Sequence, residues 1–229
     1  MAHFVGTNGN DRLPGRFDTN FANDIMEGLG GEDTIEGGFG NDSLLGGNDN
    51  DRLFGGANDD SLFGDQGNDT LTGGNGSNFL EGGIDNDVLI GSASGASVDT
   101  LNGGAGDDLL LSSGSGRVIF NGFGAFGIAG GIENDTLEGS SNSTDIFVLG
   151  DAATSFYGDP GAKAIVRNFS QGVDKVQLNG NSTLYSIAFG DRVGSAQTDA
   201  AIINIATGDV IGIFQDTTAL NLSSDILFV

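Results

Sequence analysis

Residues 37–54 read Gly-Gly-Phe-Gly-Asn-Asp-Ser-Leu-Leu followed by Gly-Gly-Asn-Asp-Asn-Asp-Arg-Leu-Phe, two nonapeptides laid end to end. Residues 103–111, Gly-Gly-Ala-Gly-Asp-Asp-Leu-Leu-Leu, keep the same frame: Gly-Gly-x-Gly-x-Asp-x-U-x, with U large and apolar. Carried outward, the frame spans residues 6–138 as fourteen units, with four extra residues in the unit at Gly15 and three in the unit at Gly91. U is then Leu13, Met26, Ile35, Leu44, Leu53, Leu62, Leu71, Leu80, Leu89, Leu101, Leu110, Ile119, Ile128 and Leu137. The sixth position reads Asp11, Asp24, Asp33, Asp42, Asp51, Asp60, Asp69, Asn78, Asp87, Asp99, Asp108, Arg117, Phe126 and Asp135. A short fixed period of this kind is the mark of a stacked-repeat architecture. A disordered acidic, glycine-rich chain would share the composition but not the apolar register.

A three-residue x-U-x strand sends U to one face and its neighbours to the other. The glycine-rich hexapeptides between strands supply positive-φ turns. Two nonapeptides then make one 18-residue coil, with two thin parallel sheets facing each other across the aliphatic row. Coils stack about 4.8 Å apart, so about seven of them form a rod of roughly 35 Å. Stacking lines up Asp11, Asp33, Asp51, Asp69, Asp87 and Asp108 on one edge and Asp24, Asp42, Asp60, Asn78 and Asp99 on the other. Bare carboxylates about 5 Å apart repel by about 3 kcal/mol per pair at an effective dielectric of about 20. A cation with a preference for hard oxygen ligands reverses that sign.

The repeat resembles the RTX (repeats-in-toxin) calcium-binding family over roughly residues 6–148. The resemblance implies an all-β fold, a right-handed parallel β-roll whose glycine-turn carbonyls complete the Ca²⁺ shell. Neighbouring acids on each edge give an expectation of seven to nine ions, with the sixth-position residues Asp11 through Asp108, Asp135 and Asn78 as ligands. Ion sites in units 112–129 are doubtful, since Arg117 and Phe126 stand at the acidic place. After Leu137, Gly-Ser-Ser-Asn-Ser-Thr-Asp-Ile-Phe-Val-Leu-Gly-Asp is similar to the closing repeat of such regions, which brings Asp145 into the ligand set.

The 229 residues carry 32 Asp+Glu against 8 Lys+Arg, net −24, with 42 Gly and no Cys. Residues 1–150 hold 24 acidic and 4 basic side chains, net −20, and 34 of the glycines. That field disfavours nucleic acid and anionic membrane surfaces, and no apolar run is long enough to span a bilayer. The first residues have no apolar signal core, so export without a cleaved signal is expected. His3 is the one histidine; no zinc-protease motif is present, and a serine triad would have to use His3. Gly122–Gly127 matches Gly-x-Gly-x-x-Gly, but it sits in the repeat frame and is rejected as a dinucleotide fingerprint. No catalytic activity is expected.

Residues 1–148 are read as the roll and 149–229 as a β-rich cap. Short β-type runs occur at 164–169, 174–178, 184–189, 200–206, 209–214 and 225–229, and a solenoid end needs its unpaired strand edges covered. The stretch 165–178 looks like the cap of serralysin-type and cyanobacterial RTX proteins, and the terminal Asp-Ile-Leu-Phe-Val is similar to type I secretion signals. Strand parity turns Phe54, Val88, Ile90, Leu109 and Leu111 outward on one sheet and Leu45, Phe63, Phe79 and Phe120 on the other. A contiguous apolar stripe marks an interaction surface. The expected function is therefore an extracellular calcium-binding structural protein that folds on meeting calcium and self-assembles as a filament, layer or matrix. The alternative is a monomeric accessory module for a protein or glycan partner.

Overall fold

The structure is a computed structural model that describes residues 2–16, 22–91, 97–112, 117–123, 136–139, 145–149, 164–169, 173–178, 184–190, 199–205, 210–214, 220 and 225–228. Regular structure in these residues is β. The first strands are β1 (His3–Val5), β2 (Arg12–Arg16), β3 (Ile25–Gly30), β4 (Thr34–Phe39), β5 (Ser43–Asn48), β6 (Arg52–Ala57) and β7 (Ser61–Gln66). There follow β8 (Thr70–Asn75), β9 (Phe79–Ile84), β10 (Val88–Gly91), β11 (Val98–Ala105), β12 (Leu109–Ser112), β13 (Arg117–Phe123) and β14 (Thr136–Glu138). Strands β15 (Ile146–Val148), β16 (Ala164–Arg167), β17 (Lys175–Leu178), β18 (Tyr185–Gly190), β19 (Asp199–Asn204), β20 (Val210–Phe214) and β21 (Ile226–Phe228) complete the set.

Odd strands β1 to β17 stack in order as one parallel sheet, ending on β21; even strands β2 to β16 stack as the other and continue into β20. This is the parallel β-roll expected from the period. Register is kept unit to unit: Leu44 faces Leu62 and Leu62 faces Leu80 in one sheet, Leu53 faces Leu71 and Leu71 faces Leu89 in the other. Met26, Ile35 and every U leucine from Leu44 to Leu110 are fully buried. Leu13, in the first coil, is only partly buried against this core, because no coil lies beyond it. The sheets do not stop at residue 148. Strands β16, β17, β20 and β21 extend them, and β18–β19–β20 form an antiparallel meander at one end.

Two expectations need correction. The strands are longer than x-U-x: β5 to β9 each run six residues, through the first two positions of the next unit, which are Gly-Gly in all but β7, where they are Gly64-Asp65. Each such strand therefore has two inward positions, the U residue and the first glycine, and only a tight bend remains to turn the chain. Each unit has two left-handed positions, one near the end of the strand and one in the bend, for example Gly47 (φ 114) with Asp49 (φ 75), and Gly56 (φ 111) with Asn58 (φ 83). Positive φ at both explains why glycine, asparagine and aspartate fill these places.

The second correction concerns residues 117–120. Leu101 pairs with Phe120, and Thr100 with Ile119, so the chain has slipped by one residue relative to the nonapeptide frame. Val118 and Phe120 face the core, and Ile119 takes a flanking place. A slip of one reverses every side chain along a strand. Here it buries Phe120, expected outward, and puts Val118 rather than Arg117 at the acidic position. From this point aromatic rings join the aliphatic row, which continues through Leu137, Leu149 and Leu178. Phe120 stacks on Phe147 with centroids 4.9 Å apart, Phe147 meets Phe169, and Phe169 meets Phe214 edge-on at 5.2 Å. The frame also sets Ile128 beside Leu110, but Leu110 pairs with Leu137, 27 residues on, so the unit at 130–138 stands in the opposite sheet from the one its alternation gives it. Ile128, Phe126 and most of Gly122–Gly127 lie outside the described residues, whereas Gly122 and Phe123 belong to β13.

Candidate metal centre

Because the sixth-position aspartate precedes U by two residues, strand parity turns it inward with U. Asp24, Asp33, Asp42, Asp51, Asp60, Asp69, Asn78, Asp87, Asp99 and Asp108 are all at most 3% exposed. They form two ladders. On one edge the backbone N–H of each aspartate donates to Oδ1 of its counterpart in the next coil: Asp11 to Asp33, Asp33 to Asp51, Asp51 to Asp69, Asp69 to Asp87 and Asp87 to Asp108, all at 2.7–2.8 Å. On the other edge Asp24 donates to Asp42, Asp42 to Asp60, Asp60 to Asn78 and Asn78 to Asp99.

One carboxylate oxygen is thereby satisfied and the other is not. Oδ2 of Asp24, Asp33, Asp42, Asp51, Asp60, Asp69 and Asp87 is buried and accepts no hydrogen bond. An added Cβ at Gly28, Gly37, Gly55, Gly64 or Gly82 would run into Oδ2 of that unit's own aspartate and into the carbonyl oxygen of the corresponding glycine one coil on. Two proton-free acceptors thus crowd one point in each turn. A buried acceptor left without a donor costs about 1–3 kcal/mol, more when charged, so this recurrent arrangement favours either a bound proton or a cation at each oxygen.

The electrostatics agree. Burial pushes the carboxyl groups of Asp33 and Asp42 up, and raises Asp51 and Asp60 to about 7, Asp69 to about 6 and Asp87 to about 8. The ladder N–H partly opposes the rise, and neighbouring carboxylates add to it, Asp69 and Asp33 around Asp51, Asp108 and Asp69 around Asp87. Among the described residues no three His, Cys, Asp or Glu side chains converge, so a cation here must draw most of its shell from carbonyls. Such a hard, oxygen-only site suits Ca²⁺.

A second ladder runs outside the first. The fifth-position side chain of one coil accepts the backbone N–H of the next: Asn50 from Asn68 at 2.7 Å, Asn68 from Asn86 at 3.1 Å and Asn86 from Asp107 at 2.7 Å. On the other edge Asn23 accepts from Asn41, Asn41 from Asp59 and Asp59 from Ser77. The Asn-Asp dipeptide of the repeat therefore has a division of labour. Asn closes the exposed backbone without charge, and Asp keeps its charge inside.

The remaining expected positions fall as follows. Asp11 is half-buried at the end of its ladder, and Asp135 lies outside the described residues. Asp145 is fully buried and accepts the N–H of Val118 at 3.1 Å. The inner ladder goes on beyond the glycine repeats, since the N–H of Asp145 donates to Asp174 Oδ1 at 2.9 Å. Asp174 and Asp225 are also fully buried. Neither was legible from the nonapeptide frame. Asp174-Lys175-Val176 does keep its Asp-x-U core, a signal that survives without the glycines. His3 pairs with Glu27 at 2.8 Å across β1 and β3.

The comparisons with known proteins meet this geometry from the other side. The profile of the RTX calcium-binding nonapeptide repeat (4 copies) matches residues 18–53, 37–71 and 54–89. The profile of the peptidase M10 serralysin C terminal matches residues 75–223, more than half of the chain. No curated protein matches the sequence. The first profile covers the regular leucine-cored coils, and the second spans the slip at Phe120 and the aromatic-cored strands that continue the same two sheets. The chain belongs to the peptidase M10 serralysin C-terminal family and carries the RTX calcium-binding repeats in its first half.

Proposed function

We propose that this chain is a secreted, non-enzymatic structural protein whose roll is completed by calcium outside the cell. The observation that carries the reading is the row of buried carboxylate oxygens without a donor, Oδ2 of Asp24, Asp33, Asp42, Asp51, Asp60, Asp69 and Asp87, of which those of Asp33, Asp42, Asp60, Asp69 and Asp87 crowd against a turn carbonyl. These aspartates and Asp108 hold the ions in this proposal, seven to nine in all. Asp99 and Asp145 extend the set, and Asp135 belongs to it by its place in the repeat. The cation supplies positive charge between the ladder oxygens; the chain supplies buried carboxylates, turn carbonyls and coil spacing. A chain of net −24 stays loose where calcium is scarce and folds where calcium is millimolar, a concentration matched by weak extracellular sites. Each site filled only in the folded state stabilises it by RT ln(1+[Ca]/Kd). Membership of the serralysin C-terminal family supports export by a type I route, with residues 149–229 as cap.

Self-assembly into a filament, layer or matrix belongs to the same proposal. It is supported by apolar side chains on the outside of the roll, Phe39 and Phe54 at 37% and 39% exposure and Ile84 at 42%, and by β1 and β2, which end the two sheets. A second reading, an accessory module binding a glycan or protein, is favoured by one feature. Glu36 and Phe54 line a shallow depression with Gly38 and Gly56, an acceptor beside an exposed ring.

Sedimentation velocity of chelated protein, repeated in millimolar calcium, separates these. Conversion of a slow, extended monomer into large, chelator-reversible particles supports assembly. One compact monomer favours the accessory reading. An unchanged boundary removes the calcium reading altogether.

A further inference from the structure

In most turns an acceptor oxygen of the ladder residue faces a carbonyl with nothing between; in two turns the protein itself supplies a donor. In turn 6–11, Oδ2 of Asp11 accepts both the backbone N–H of Thr7 at 2.6 Å and its hydroxyl at 2.9 Å. The backbone explains why this turn differs. At the place of Thr7, eight other units put Leu29, Gly38, Gly47, Gly56, Asp65, Gly74, Gly83 and Gly104 at positive φ, while Arg16, in the unit with four added residues, is not. Thr7 is β-branched and is not at positive φ, a conformation costly for such side chains, and its N–H instead turns onto the carboxylate. The position of Gly9 is likewise not left-handed, unlike Gly31, Gly40 and Gly67 at the equivalent place.

The other exception is turn 73–78. An added Cβ at Gly73 would meet Nδ2 of Asn78 at 2.8 Å, the point at which Gly64 and Gly82 would meet the Oδ2 of Asp69 and Asp87. The amide orientation follows from the ladder: the N–H of Asp60 donates to Asn78 Oδ1 at 2.9 Å, so Oδ1 is the acceptor and Nδ2 must point the other way. Nδ2 then donates to the carbonyl of Gly74 at 3.3 Å. A neutral amide has placed an N–H where the other turns place a second anionic oxygen.

We propose that turns 6–11 and 73–78 are closed without calcium: Thr7 donates to the Asp11 Oδ2 that would otherwise face a cation, and Asn78 sets Nδ2, held by the carbonyl of Gly74, where the other turns set Oδ2. Each edge of the roll thus contains one turn that needs no ion, the first turn on one edge and a middle turn on the other. The chemical reason is the same in both. An oxygen-only cage binds Ca²⁺, and a donor hydrogen inside the cage both satisfies the acceptors and repels the cation.

This rests on the calcium reading above, and the test keeps the two apart. Bound calcium is counted by equilibrium dialysis on the full chain at saturating calcium, for wild type, Asp11→Asn, Thr7→Gly, Thr7→Ser, Asn78→Asp and Asp69→Asn. The expected result is a gain of one ion for Thr7→Gly and for Asn78→Asp, with no change for Asp11→Asn or Thr7→Ser. The double variant Thr7→Gly/Asp11→Asn returns to the wild-type count, and far-UV circular dichroism in calcium confirms that each variant is folded. Loss of an ion in Asp11→Asn, or absence of a gain in both Thr7→Gly and Asn78→Asp, overturns the inference. Asp69→Asn is the control for the underlying reading: it should lose an ion, and if it does not, the ladder aspartates are not ligands and the calcium proposal fails independently of Thr7 and Asn78.

Discussion

The two edges of the roll are built from the same repeat and differ in charge. One carries the unbroken series Asp33, Asp51, Asp69, Asp87 and Asp108, and its exposed turn positions add Glu32, Asp49, Asp65, Asp85 and Asp107. Three of these exposed acids, Asp49, Asp65 and Asp85, raise the carboxyl groups of the ladder beside them. On the other edge the series Asp24, Asp42, Asp60 is broken by Asn78 and then by Val118, and Asp59 is the main exposed acid of its regular turns. A ladder of buried carboxylates with a second anionic row outside it depends on cations along its whole length. The interrupted edge has Asn78 Nδ2 in its middle, where the continuous edge has only carboxylate oxygens beyond its first turn at Asp11. The roll is therefore a calcium-dependent edge joined by a leucine core to a partly self-sufficient one.

The largest expected effect comes from crowding the turns. At Gly64, on the continuous edge, a methyl group would collide with Asp69 Oδ2 and with the carbonyl of Gly82, which is backbone and cannot swing away. Gly64→Ala should lower stability in saturating calcium by about 3 kcal/mol or more. At Gly91, on the interrupted edge, the same methyl meets side-chain atoms first, Asp99 Oδ2 at 3.0 Å and a Leu101 methyl at 3.1 Å. Gly91→Ala should cost roughly 1 kcal/mol. Calorimetric melting of the two variants reads the contrast, and equal costs would break it.

Removal of single charges should give the next largest effect. Asp69→Asn takes one carboxylate from the middle of the unbroken ladder and should raise the calcium concentration at half-folding by about tenfold, equivalent to about 1.4 kcal/mol. Asp99→Asn lies between Asn78 and Val118 and should shift it by no more than about threefold, under about 0.7 kcal/mol. Titrations followed by circular dichroism compare the two, and a larger shift for Asp99→Asn would reverse the ranking of the edges.

The smallest effect is that of pH on the calcium-free chain. Burial raises Asp51, Asp60, Asp69 and Asp87 to about 7, 7, 6 and 8 from an ordinary value of 3.8. Groups raised in the folded state bind protons more tightly there, so the stabilisation is complete below about 4 and is lost as pH rises through about 6 to 8. Dialysed, calcium-free protein should accordingly gain structure as pH falls from 8 towards 4. Because Asp51, Asp69 and Asp87 share one edge, replacing them by Asn should flatten the profile more than Asp60→Asn does. A profile that melts on acidification would contradict the burial of these carboxylates.

Much of the site was readable because each unit copies its neighbour. The apolar row and the sixth-position aspartates follow from a period of nine combined with strand parity, and the cap strands follow from short alternating runs such as Ala164–Arg167 and Lys175–Leu178. Failures occur where copying stops. One added residue before Val118 changes parity, and the nonapeptide frame cannot report this because Ile119 and Phe120 are both apolar. Asp174 and Asp225 lack the glycines that identify the other ladder members, since their turns are not those of the repeat.

By itself the sequence determined the β-roll, the stacking order of the coils as far as Leu110 and the inward side of the aspartates, since these depend on local periodicity alone; beyond it the pairing of Leu110 with Leu137 departs from the frame. Tertiary structure decided which oxygen of each aspartate is satisfied and which is left facing a carbonyl. It also decided that Thr7 and Asn78 fill that gap with hydrogens and that Phe120 turns inward. The ladder bond that orients the Asn78 amide and the register that turns Phe120 inward join coils 18 or more residues apart, where one added residue or one neutral amide changes which atoms meet; the Thr7 closure depends on how its own turn bends.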